Sequence, residues 1–289
     1  MTLSAYRNWQ PTPLMKTSFV LTLAAPLAIA IHPAIWPWAL AVVVADHLLL
    51  TFAGLWPRCS WAGSNWTSLP PASAERGEIA ITIDDGPDPE ITPAVLDVLD
   101  RYGAKATFFC IAENAQSYPD LCRDIVKRGH GVENHSMQHK YHLPFLLLDG
   151  WLAELNTAQD ALTKVTGIRP RFFRPPVGLR NPWLDPVLNR LDLQLASWSR
   201  RGFDTVQRDP QVVLARLLKG LKAGDILLLH DRNAARTAED VPVILEVLPA
   251  LLDAIAAAKL HTVTLGESLD RSRHMQEPLF NRTHQTAET

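Results

Sequence analysis

Four short groups of residues in this chain have the types and the order needed for metal-assisted hydrolysis of an amide. The first ends an apolar run with two adjacent carboxylates, and the others carry two histidines, an arginine and a further histidine. They occupy residues 82–87, 135–139, 174–178 and 228–231. Together they supply a metal site, a general base, an arginine that orients the base, and a general acid.

Asp84 and Asp85 are the adjacent carboxylates, and Gly86-Pro87 follows them directly. Successive residues of a strand point to opposite faces, but a turn at Gly86-Pro87 can bring both carboxylates into one cleft. One of them can then bind a metal while the other takes a proton from water. The alternative is an ordinary turn with two solvated carboxylates.

His135 and His139 are spaced as two metal ligands on one face of a helical turn. With Asp85 they offer two nitrogens and one oxygen and leave positions open for water and substrate. This set suits catalytic Zn²⁺, or Co²⁺, Ni²⁺ or Mn²⁺ in a looser site. His142 is an alternative ligand, and we expect His130 to be structural.

Arg174 precedes two prolines that stiffen its loop, and His230 follows the apolar run 226–229. A buried guanidinium beside Asp84 would keep that carboxylate ionised and oriented, whereas a surface or phosphate-like contact is the alternative. A histidine at a strand end, followed by Asp231, fits a group that protonates a leaving amine. A lone core histidine is the other interpretation.

Short apolar runs alternate with helical patterns from Glu78 onward. We expect strands at 79–84, 106–111, 171–174, 193–198, 225–230 and 261–265, and helices at 92–103, 119–128, 151–165, 209–223 and 241–258. Thr92 is the expected cap of the first of these helices, and Gly167 ends the third. Such alternation predicts a parallel sheet or barrel of six or seven units, with the chemistry at the C-terminal ends of the strands.

The N-terminal region has the composition of a membrane segment. Between Lys16 and Arg58 the only charged residue is Asp46. About 20 apolar residues cross a bilayer as a helix, and this stretch is long enough for two, with a break near His32-Pro33. We predict an integral helical hairpin over roughly 17–32 and 36–56, in a bacterial-type inner membrane. Asp46 is either functional or faces the partner helix or a thinned bilayer.

The division of the chain follows from these patterns. We predict a membrane segment over 1–66, a linker over 67–76, a catalytic domain over 77–268 and a disordered tail over 269–289. A hairpin places the N-terminus and the catalytic domain on one side of the membrane. Arg7, Lys16 and Arg58 favour the cytoplasmic side, whereas a single span would place the domain outside.

Composition excludes little else. The 289 residues are 47% hydrophobic with a formal net charge of −2, which allows one α/β domain plus an appendage and gives no support for a nucleic-acid partner. The three cysteines have neither metal-site nor disulfide spacing. Cys110 and Cys122 lie in apolar patterns typical of core packing.

The four motifs resemble those of the polysaccharide deacetylase family, which is carbohydrate esterase family 4 with its NodB-homology domain. The family motifs T-F-D-D-G-P, H-S/T-x-x-H, R-x-P-Y/F-G and L-x-H correspond to 82–87, 135–139, 174–178 and 228–230. The likeness covers roughly residues 77–268. Ile83 replaces the family's Phe, and Val177 replaces an aromatic residue. The family's Asp-Trp motif has only Asp204 here, with no Trp after it.

The resemblance implies a distorted (β/α)7 barrel of the NodB-homology type after the hairpin. It also implies a metal-dependent hydrolase that removes the N-acetyl group from N-acetylhexosamine units of a glycan or a lipid-linked sugar. It assigns catalysis to Asp84, Arg174, His230 and Asp204, the metal to Asp85, His135 and His139, and substrate contacts to Val177, Pro176 and Leu228. Within these roles Asp84 is the base, His230 the acid, and the Val177 N–H an oxyanion donor.

Other functions remain open on the sequence. The same residues would serve a deformylase or another amidohydrolase acting on a polyprenyl-linked amino sugar. A phosphoesterase would need a more basic pocket than Arg174 alone provides. A non-catalytic NodB-fold membrane protein that binds glycans would be expected to lack an acid, a base or a metal ligand, and none is missing.

Overall fold

A computed structural model describes residues 9–276 of the chain, with side chains as far as Arg273. Arg7, which entered the topology prediction, lies outside the described residues, as do residues 277–289 of the predicted tail.

A curled parallel sheet forms the centre of the protein. Its strands are β1 Glu78–Asp84, β2 Ala106–Cys110, β3 Gly131–Asn134, β4 Phe172–Phe173, β5 Gln194–Leu195, β6 Arg200–Arg201, β7 Ile226–His230 and β8 His261–Thr262. The order is β5-β4-β3-β2-β1-β7-β6, with β8 beside the start of β1. All strand pairings among the described residues are parallel. The result is a curled half-barrel, which confirms the predicted distorted barrel.

Helices follow most of the strands. They are α1 Pro13–Ile31, α2 Trp36–Leu55, α3 Pro71–Glu75, α4 Thr92–Arg101, α5 Ala112–Ser117, α6 Pro119–Lys127, α7 Leu148–Thr166, α8 Leu184–Arg190, α9 Pro210–Leu218, α10 Val243–Ala257 and α11 Leu265–Gln276. Short 3-10 turns occupy Pro33–Ile35, Leu143–Phe145 and Pro176–Gly178. The predicted helices are all present within a few residues. The elements β3, β6, α3, α5, α8 and α11 were not predicted.

The alternation of side chains along β1 explains how the barrel is built. Ile79, Ile81 and Ile83 belong to the core cluster that also contains apolar residues of α4 and α10. Ala80 belongs to a second cluster, with Phe109 and residues of the other strands. Because successive strand residues point to opposite faces, Thr82 and Asp84 point the same way as Ala80, toward the inside of the barrel.

The two segments expected to lack structure are ordered where they are described. Within the predicted linker, Pro71–Glu75 is helical and the hydroxyl of buried Ser73 lies 2.8 Å from that of Ser268. Within the predicted tail, α11 continues to Gln276 and Arg271 forms an ion pair with Glu78. Polar side chains in both segments therefore pair with other parts of the protein at these residues.

The N-terminal region forms the expected antiparallel hairpin of α1 and α2. Residues Pro13–Ile31 and Pro33–Leu55 each have a mean hydropathy of 1.8, and only 6% and 17% of their most apolar windows are buried. A core helix of a soluble protein would be mostly buried, so these two helices could span a membrane. Ser18 donates a hydrogen bond to Asp46 at 2.8 Å, which confirms the interpretation that Asp46 faces the partner helix.

Candidate active site

The carboxyl ends of β1, β3, β4 and β7 meet at one edge of the parallel sheet, and a cavity of about 330 Å³ opens there. Its walls carry most of the residues that the sequence selected. They are Asp84, Asp85, His135, His139, Tyr141, Val177, Gly178, Trp198, Arg201, Thr205, Leu228, His230 and Asn233.

Asp84 and Arg174 form a buried ion pair at the base of this cavity. Nη1 of Arg174 donates to Oδ1 of Asp84 at 2.7 Å and to the hydroxyl of Thr82 at 2.8 Å. The remaining donors of the guanidinium reach the carbonyls of Ala196 and Ser197 at 3.0 and 2.7 Å. Four partners fix the guanidinium in one orientation, so the predicted contact between Arg174 and Asp84 is present.

The guanidinium also lies on the face of an aromatic ring. Its carbon is 4.1 Å from the centre of the Phe109 ring, a distance typical of a cation–π contact. Arg174 is therefore enclosed by the barrel and available to Asp84 alone among the acidic groups of the cavity.

Asp85, His135 and His139 converge on one point. Nε2 of His135 and Nε2 of His139 each lie 3.2 Å from Oδ1 of Asp85. The three ligand atoms lie within 4.8 Å of one another. Within the described part of the chain this is the cluster that could hold a metal ion, and the alternative ligand His142 is outside it.

The geometry of the histidine pair differs from the prediction. Residues 135–139 form an irregular loop, not a helical turn. Ser136 and His139 adopt φ angles of 70° and 55°, and Oγ of Ser136 accepts a hydrogen bond from the N–H of His139 at 2.9 Å. The four-residue spacing thus brings both imidazoles together by a tight loop, which the sequence pattern does not distinguish from a helix.

The donor atoms fit a cation. Nδ1 of His135 lies 2.8 Å from the carbonyl of Arg174 and donates to it, which leaves the lone pair of Nε2 facing Asp85. Oδ1 of Asp85 is buried and accepts no hydrogen bond. Three acceptor atoms therefore face one another, an arrangement that requires a proton or a metal ion between them.

The pKa shifts of Asp85 and His139 also indicate that positive charge is stabilised at this point. Burial alone would raise the pKa of Asp85, but the two imidazoles hold it well below its usual range. Burial alone would lower the pKa of His139, but the carboxylate of Asp85 raises it. Both shifts, of Asp85 and of His139, thus favour positive charge at the point where the three side chains meet.

Asn233 completes the surroundings of Asp85 and was not identified from the sequence. Its Nδ2 donates to Oδ2 of Asp85 at 2.8 Å, while Nδ2 of Asn114 donates to the main-chain carbonyl of Asp85 at 3.0 Å. One carboxylate oxygen is thus oriented by Asn233 and the other is left for the two imidazoles. The only sequence signal was that Asn233 follows His230 by three residues.

His230 and Asp204 form a second buried pair. Nδ1 of His230 lies 2.9 Å from Oδ1 of Asp204, and the main-chain N–H of His230 donates to Oδ2 at 2.7 Å. Burial alone would lower the pKa of His230, but the carboxylate of Asp204 outweighs it and raises the pKa to about 9. Nδ1 is occupied by Asp204, so Nε2 is the atom that can donate a proton to a bound molecule.

The loop after β4 supplies Val177 to the cavity. Val177 has a φ of 51°, which is a strained conformation for a β-branched residue, and its side chain is 42% exposed. Leu228 also lines the cavity. Pro176, which the resemblance placed among the substrate contacts, is buried behind Val177 and is not part of the cavity wall.

The carboxylate of Asp231 packs against the turn that follows Asp84 and Asp85. Its Oδ2 accepts from the hydroxyl of Thr92 at 2.6 Å, and a side-chain carbon at Gly86 would lie 2.4 Å from the same oxygen. Thr92 is the first residue of α4 and not its cap, so that expectation is wrong; the hydroxyl is used by Asp231 instead.

His130 lies apart from the cavity, as expected. Nδ1 of His130 accepts from the N–H of Ala106 at 3.3 Å, and burial lowers the pKa of His130 to about 4. The imidazole is therefore neutral and structural.

Comparison with known proteins gives a consistent picture. A sequence model of the family described as polysaccharide deacetylase matches residues 72–196. A peptidoglycan-N-acetylglucosamine deacetylase of Bacillus cereus is 35% identical over 188 residues, which cover 60% of this chain and 81% of that protein. The peptidoglycan-N-acetylmuramic acid deacetylase PdaC of Bacillus subtilis is 33% identical over 165 residues. That match covers 56% of this chain but only 34% of PdaC, so the chain spans about a third of this relative.

Solved structures show the same fold. The Bc1960 peptidoglycan N-acetylglucosamine deacetylase superimposes with a TM-score of 0.64 at 25% identity, covering 71% of this chain and 92% of that one. The uncovered part of this chain is large enough to include the N-terminal hairpin.

Proposed function

This chain belongs to the polysaccharide deacetylase family, and on that basis we propose that it is a metal-dependent carbohydrate N-deacetylase. The substrate would be an N-acetylhexosamine unit, and the products would be acetate and the free amine. The observation that carries the proposal is the meeting of three groups at one cavity. They are the cluster of Asp85, His135 and His139, the Asp84–Arg174 pair and the His230–Asp204 pair.

Asp85, His135 and His139 would hold the metal ion. Zn²⁺ suits two imidazoles and one carboxylate with open positions, and Co²⁺, Ni²⁺ or Mn²⁺ would be accepted by the same set. When bound, the ion supplies Lewis acidity that polarises the amide carbonyl and lowers the pKa of water. Asn233 and the carbonyl of Arg174 orient two of these ligands.

Asp84 is the proposed general base. Its Oδ1 is engaged by Arg174, so Oδ2 is the oxygen free to take a proton from the attacking water. Oδ2 also faces the metal cluster, since it lies 4.0 Å from Nε2 of His135. The ion pair with Arg174 keeps the carboxylate ionised and fixes its direction.

Bond formation and cleavage can then be followed atom by atom. The water oxygen forms a bond to the acetamide carbonyl carbon as its proton passes to Asp84. The main-chain N–H of Val177 stabilises the negative charge that develops on the carbonyl oxygen. Nε2 of His230 gives its proton to the amide nitrogen, and the carbon–nitrogen bond breaks. Leu228 would contact the methyl group of the acetyl.

The side chains of the cavity do not by themselves select the acyl group. A formyl amide would react by the same proton transfers, so a deformylase that acts on a lipid-linked amino sugar is the alternative to be tested. Peptidoglycan, chitin-like oligomers and lipid-linked amino sugars all carry a suitable acetamide.

Release of acetate is the direct test. The full chain, in detergent and loaded with Zn²⁺, should release acetate from N-acetylglucosamine oligomers or from a lipid-linked N-acetyl amino sugar. A chelator, the substitution His135→Ala and the substitution Asp84→Asn should each lower the rate of acetate release by roughly a hundredfold or more. Release of formate from an N-formyl analogue, without release of acetate, would establish the deformylase. If the folded, metal-loaded protein released neither acetate nor formate, the proposal that it is an amidohydrolase would be refuted.

A further inference from the structure

Arg201 is a cation of the active-site cavity that the proposed reaction does not use. Its guanidinium carbon lies 5.5 Å from the centre of the Trp198 ring and 4.9 Å from that of Phe203. Nε of Arg201 is buried and has no hydrogen-bond partner. Arg174 and Arg200 pair with Asp84 and Asp225, whereas Arg201 forms no ion pair among the described residues.

This environment of the Arg201 guanidinium is suited to binding an anion. A guanidinium held on aromatic faces has lost part of its hydration, and it gains most from a group that accepts several of its hydrogen bonds at once. Phosphate and carboxylate are such groups. Because Arg201 lines the same cavity as the metal cluster, the anion would belong to the substrate and lie close to its acetamide.

The side of the cavity that contains Arg201 lies next to the residues that follow α2. A side-chain carbon at Gly178 would lie 2.5 Å from Cβ of Pro57 and 3.0 Å from the ring of Trp198. Nη1 of Arg58 donates to the carbonyl of Ser199 at 3.2 Å. Contacts thus run without interruption from Arg201, through Trp198, to the residues that directly follow the second apolar helix.

The connection between hairpin and barrel is fixed. The carbonyl of Gly54 accepts from the N–H of Arg180 at 3.1 Å, and the carbonyl of Pro57 accepts from the hydroxyl of Ser197 at 2.6 Å. Only 6% and 17% of the most apolar windows of the two helices are buried, and the 19 residues of α1 would reach about 28 Å, close to the thickness of a bilayer core. If the hairpin spans the membrane, the cavity is held at the membrane surface.

Apolar side chains are exposed beside this junction. Phe52 and Leu55 are exposed on the last turn of α2 and Trp56 directly after it, and the rings of Phe52 and Trp56 are 5.7 Å apart. A hydrocarbon chain lying beside these residues would be in contact with the bilayer while its polar head reached Arg201.

We propose that the substrate is an N-acetyl amino sugar joined through phosphate to a membrane lipid. The phosphate binds Arg201, the acetamide lies at the metal cluster, and the hydrocarbon chain lies beside Phe52, Leu55 and Trp56. The inference rests on the proposed N-deacetylase function and specifies its substrate. The rival anion is the carboxylate of an N-acetylmuramic acid unit in a polymer, which would need neither the fixed junction nor the apolar surface beside it.

Four substrates separate these possibilities when they are given to the full, metal-loaded chain in lipid nanodiscs. They are an isoprenoid-phosphate ester of N-acetylglucosamine, N-acetylglucosamine 1-phosphate, a neutral N-acetylglucosamine tetramer and a soluble peptidoglycan fragment. We expect kcat/KM to be highest for the isoprenoid ester and higher for the free sugar phosphate than for the neutral tetramer.

Arg201→Ala should lower kcat/KM about 10- to 100-fold for both phosphate substrates and change it less than about threefold for the neutral tetramer. Arg201→Lys should restore part of the loss, since it keeps the charge but not the planar fork. Arg216→Ala is the matched control, because Arg216 lies 5.5 Å from the same Phe203 ring without lining the cavity. It should leave all four substrates unchanged.

An equal loss on all substrates in Arg201→Ala would show a structural role and overturn the proposal. So would a loss confined to the peptidoglycan fragment, or a wild-type preference for the neutral tetramer. In each of these cases acetate is still released, so the N-deacetylase function would stand. Release of acetate from none of the four would refute that function itself.

Discussion

Both carboxylate oxygens of Asp204 are engaged by a single residue, His230. Oδ2 accepts the main-chain N–H of His230 at 2.7 Å, and Oδ1 lies 2.9 Å from Nδ1. The first contact fixes the position of the backbone at the end of β7, and the second fixes the tautomer and charge of the ring. Asp204 has this role although the tryptophan of the family motif is absent, so the Asp-His contact does not depend on that ring.

The raised pKa of His230 predicts the pH above which kcat/KM falls. The pKa of His230 is raised to about 9, so the ring is protonated below that pH and loses its proton as pH rises through it. In Asp204→Asn the strongest of the charges that raise this pKa is gone, while the burial of His230 and the charges of Asp84 and Asp85 remain, so the pKa should fall from about 9 toward the ordinary value of 6.5. The alkaline limb of kcat/KM should then move to lower pH by about one pH unit or more.

The control for this change is Asp209→Asn. Asp209 caps α9 by accepting from the N–H of Gln211 at 2.8 Å, and asparagine is an equally good cap. Its pH profile should match that of the wild type. An unchanged limb in Asp204→Asn would show that His230 is not the group that sets it.

Metal binding should be visible without any assay of turnover. Zn²⁺ that binds at the proposed site of Asp85, His135 and His139 should raise the melting temperature of the chelated protein, because a ligand of the folded state stabilises it by mass action. His139→Ala should lose most of this rise. His142→Ala, at the exposed histidine that the sequence offered as an alternative ligand, should keep it. The reverse result would move the metal site to His142.

Substitution of Asn233 should weaken metal binding more than substrate binding. Its hydrogen bond to Oδ2 of Asp85 orients the ligand, and loss of such support commonly lowers metal affinity by about 10- to 100-fold. Asn233→Ala should therefore need more Zn²⁺ for half-maximal activity, while KM at saturating Zn²⁺ stays near the wild-type value. Asn156→Ala, at an exposed asparagine on α7, should change neither quantity. A large rise in KM without a change in the Zn²⁺ requirement would show that Asn233 contacts the substrate and does not support the metal ligand.

The sequence could predict the motifs and the order of most elements, because apolar periodicity and turn residues are local properties. It missed β3, a four-residue strand whose Glu133 is buried and accepts the N–H groups of Arg171 and Phe172 at 2.6 and 2.7 Å. A glutamate inside a short strand hides the apolar pattern. The loop that joins His135 to His139 was also missed, since its positive φ angles fall on residues that are not glycine.

The contacts of Asn233 and Arg201 could not be predicted for a different reason. Asn233 reaches Asp85 from across the barrel, and nothing in the local sequence distinguishes it from a solvated loop residue. Arg201 follows another arginine, and only the fold shows that Arg200 pairs with Asp225 while Arg201 faces the cavity. Long-range partners decide both roles.

Membrane topology can be tested by fusions. Both ends of the hairpin lie at the barrel, so the N-terminus and the catalytic domain should be on one side, and Lys16 and Arg58 favour the cytoplasm. A fluorescent protein fused to the C-terminus should fluoresce, and alkaline phosphatase at the same place should be inactive. An active phosphatase would place the domain outside the cytoplasm, and the hairpin prediction would then require the N-terminus to be outside as well.

The Arg174–Asp84 pair should contribute to folding as a unit. Removal of one member leaves a buried charge without a partner, which typically costs about 3–5 kcal/mol, so Arg174→Met should lower the melting temperature strongly. Asp84→Asn alone should be milder, because its amide oxygen can still accept from Nη1 of Arg174. In the double variant the two effects should not add, and its melting temperature should lie above that of Arg174→Met. Both single variants should be inactive, since Asp84 is then absent or no longer oriented. Additive losses in melting temperature would show that Arg174 is held by the carbonyls of Ala196 and Ser197 and not by the carboxylate.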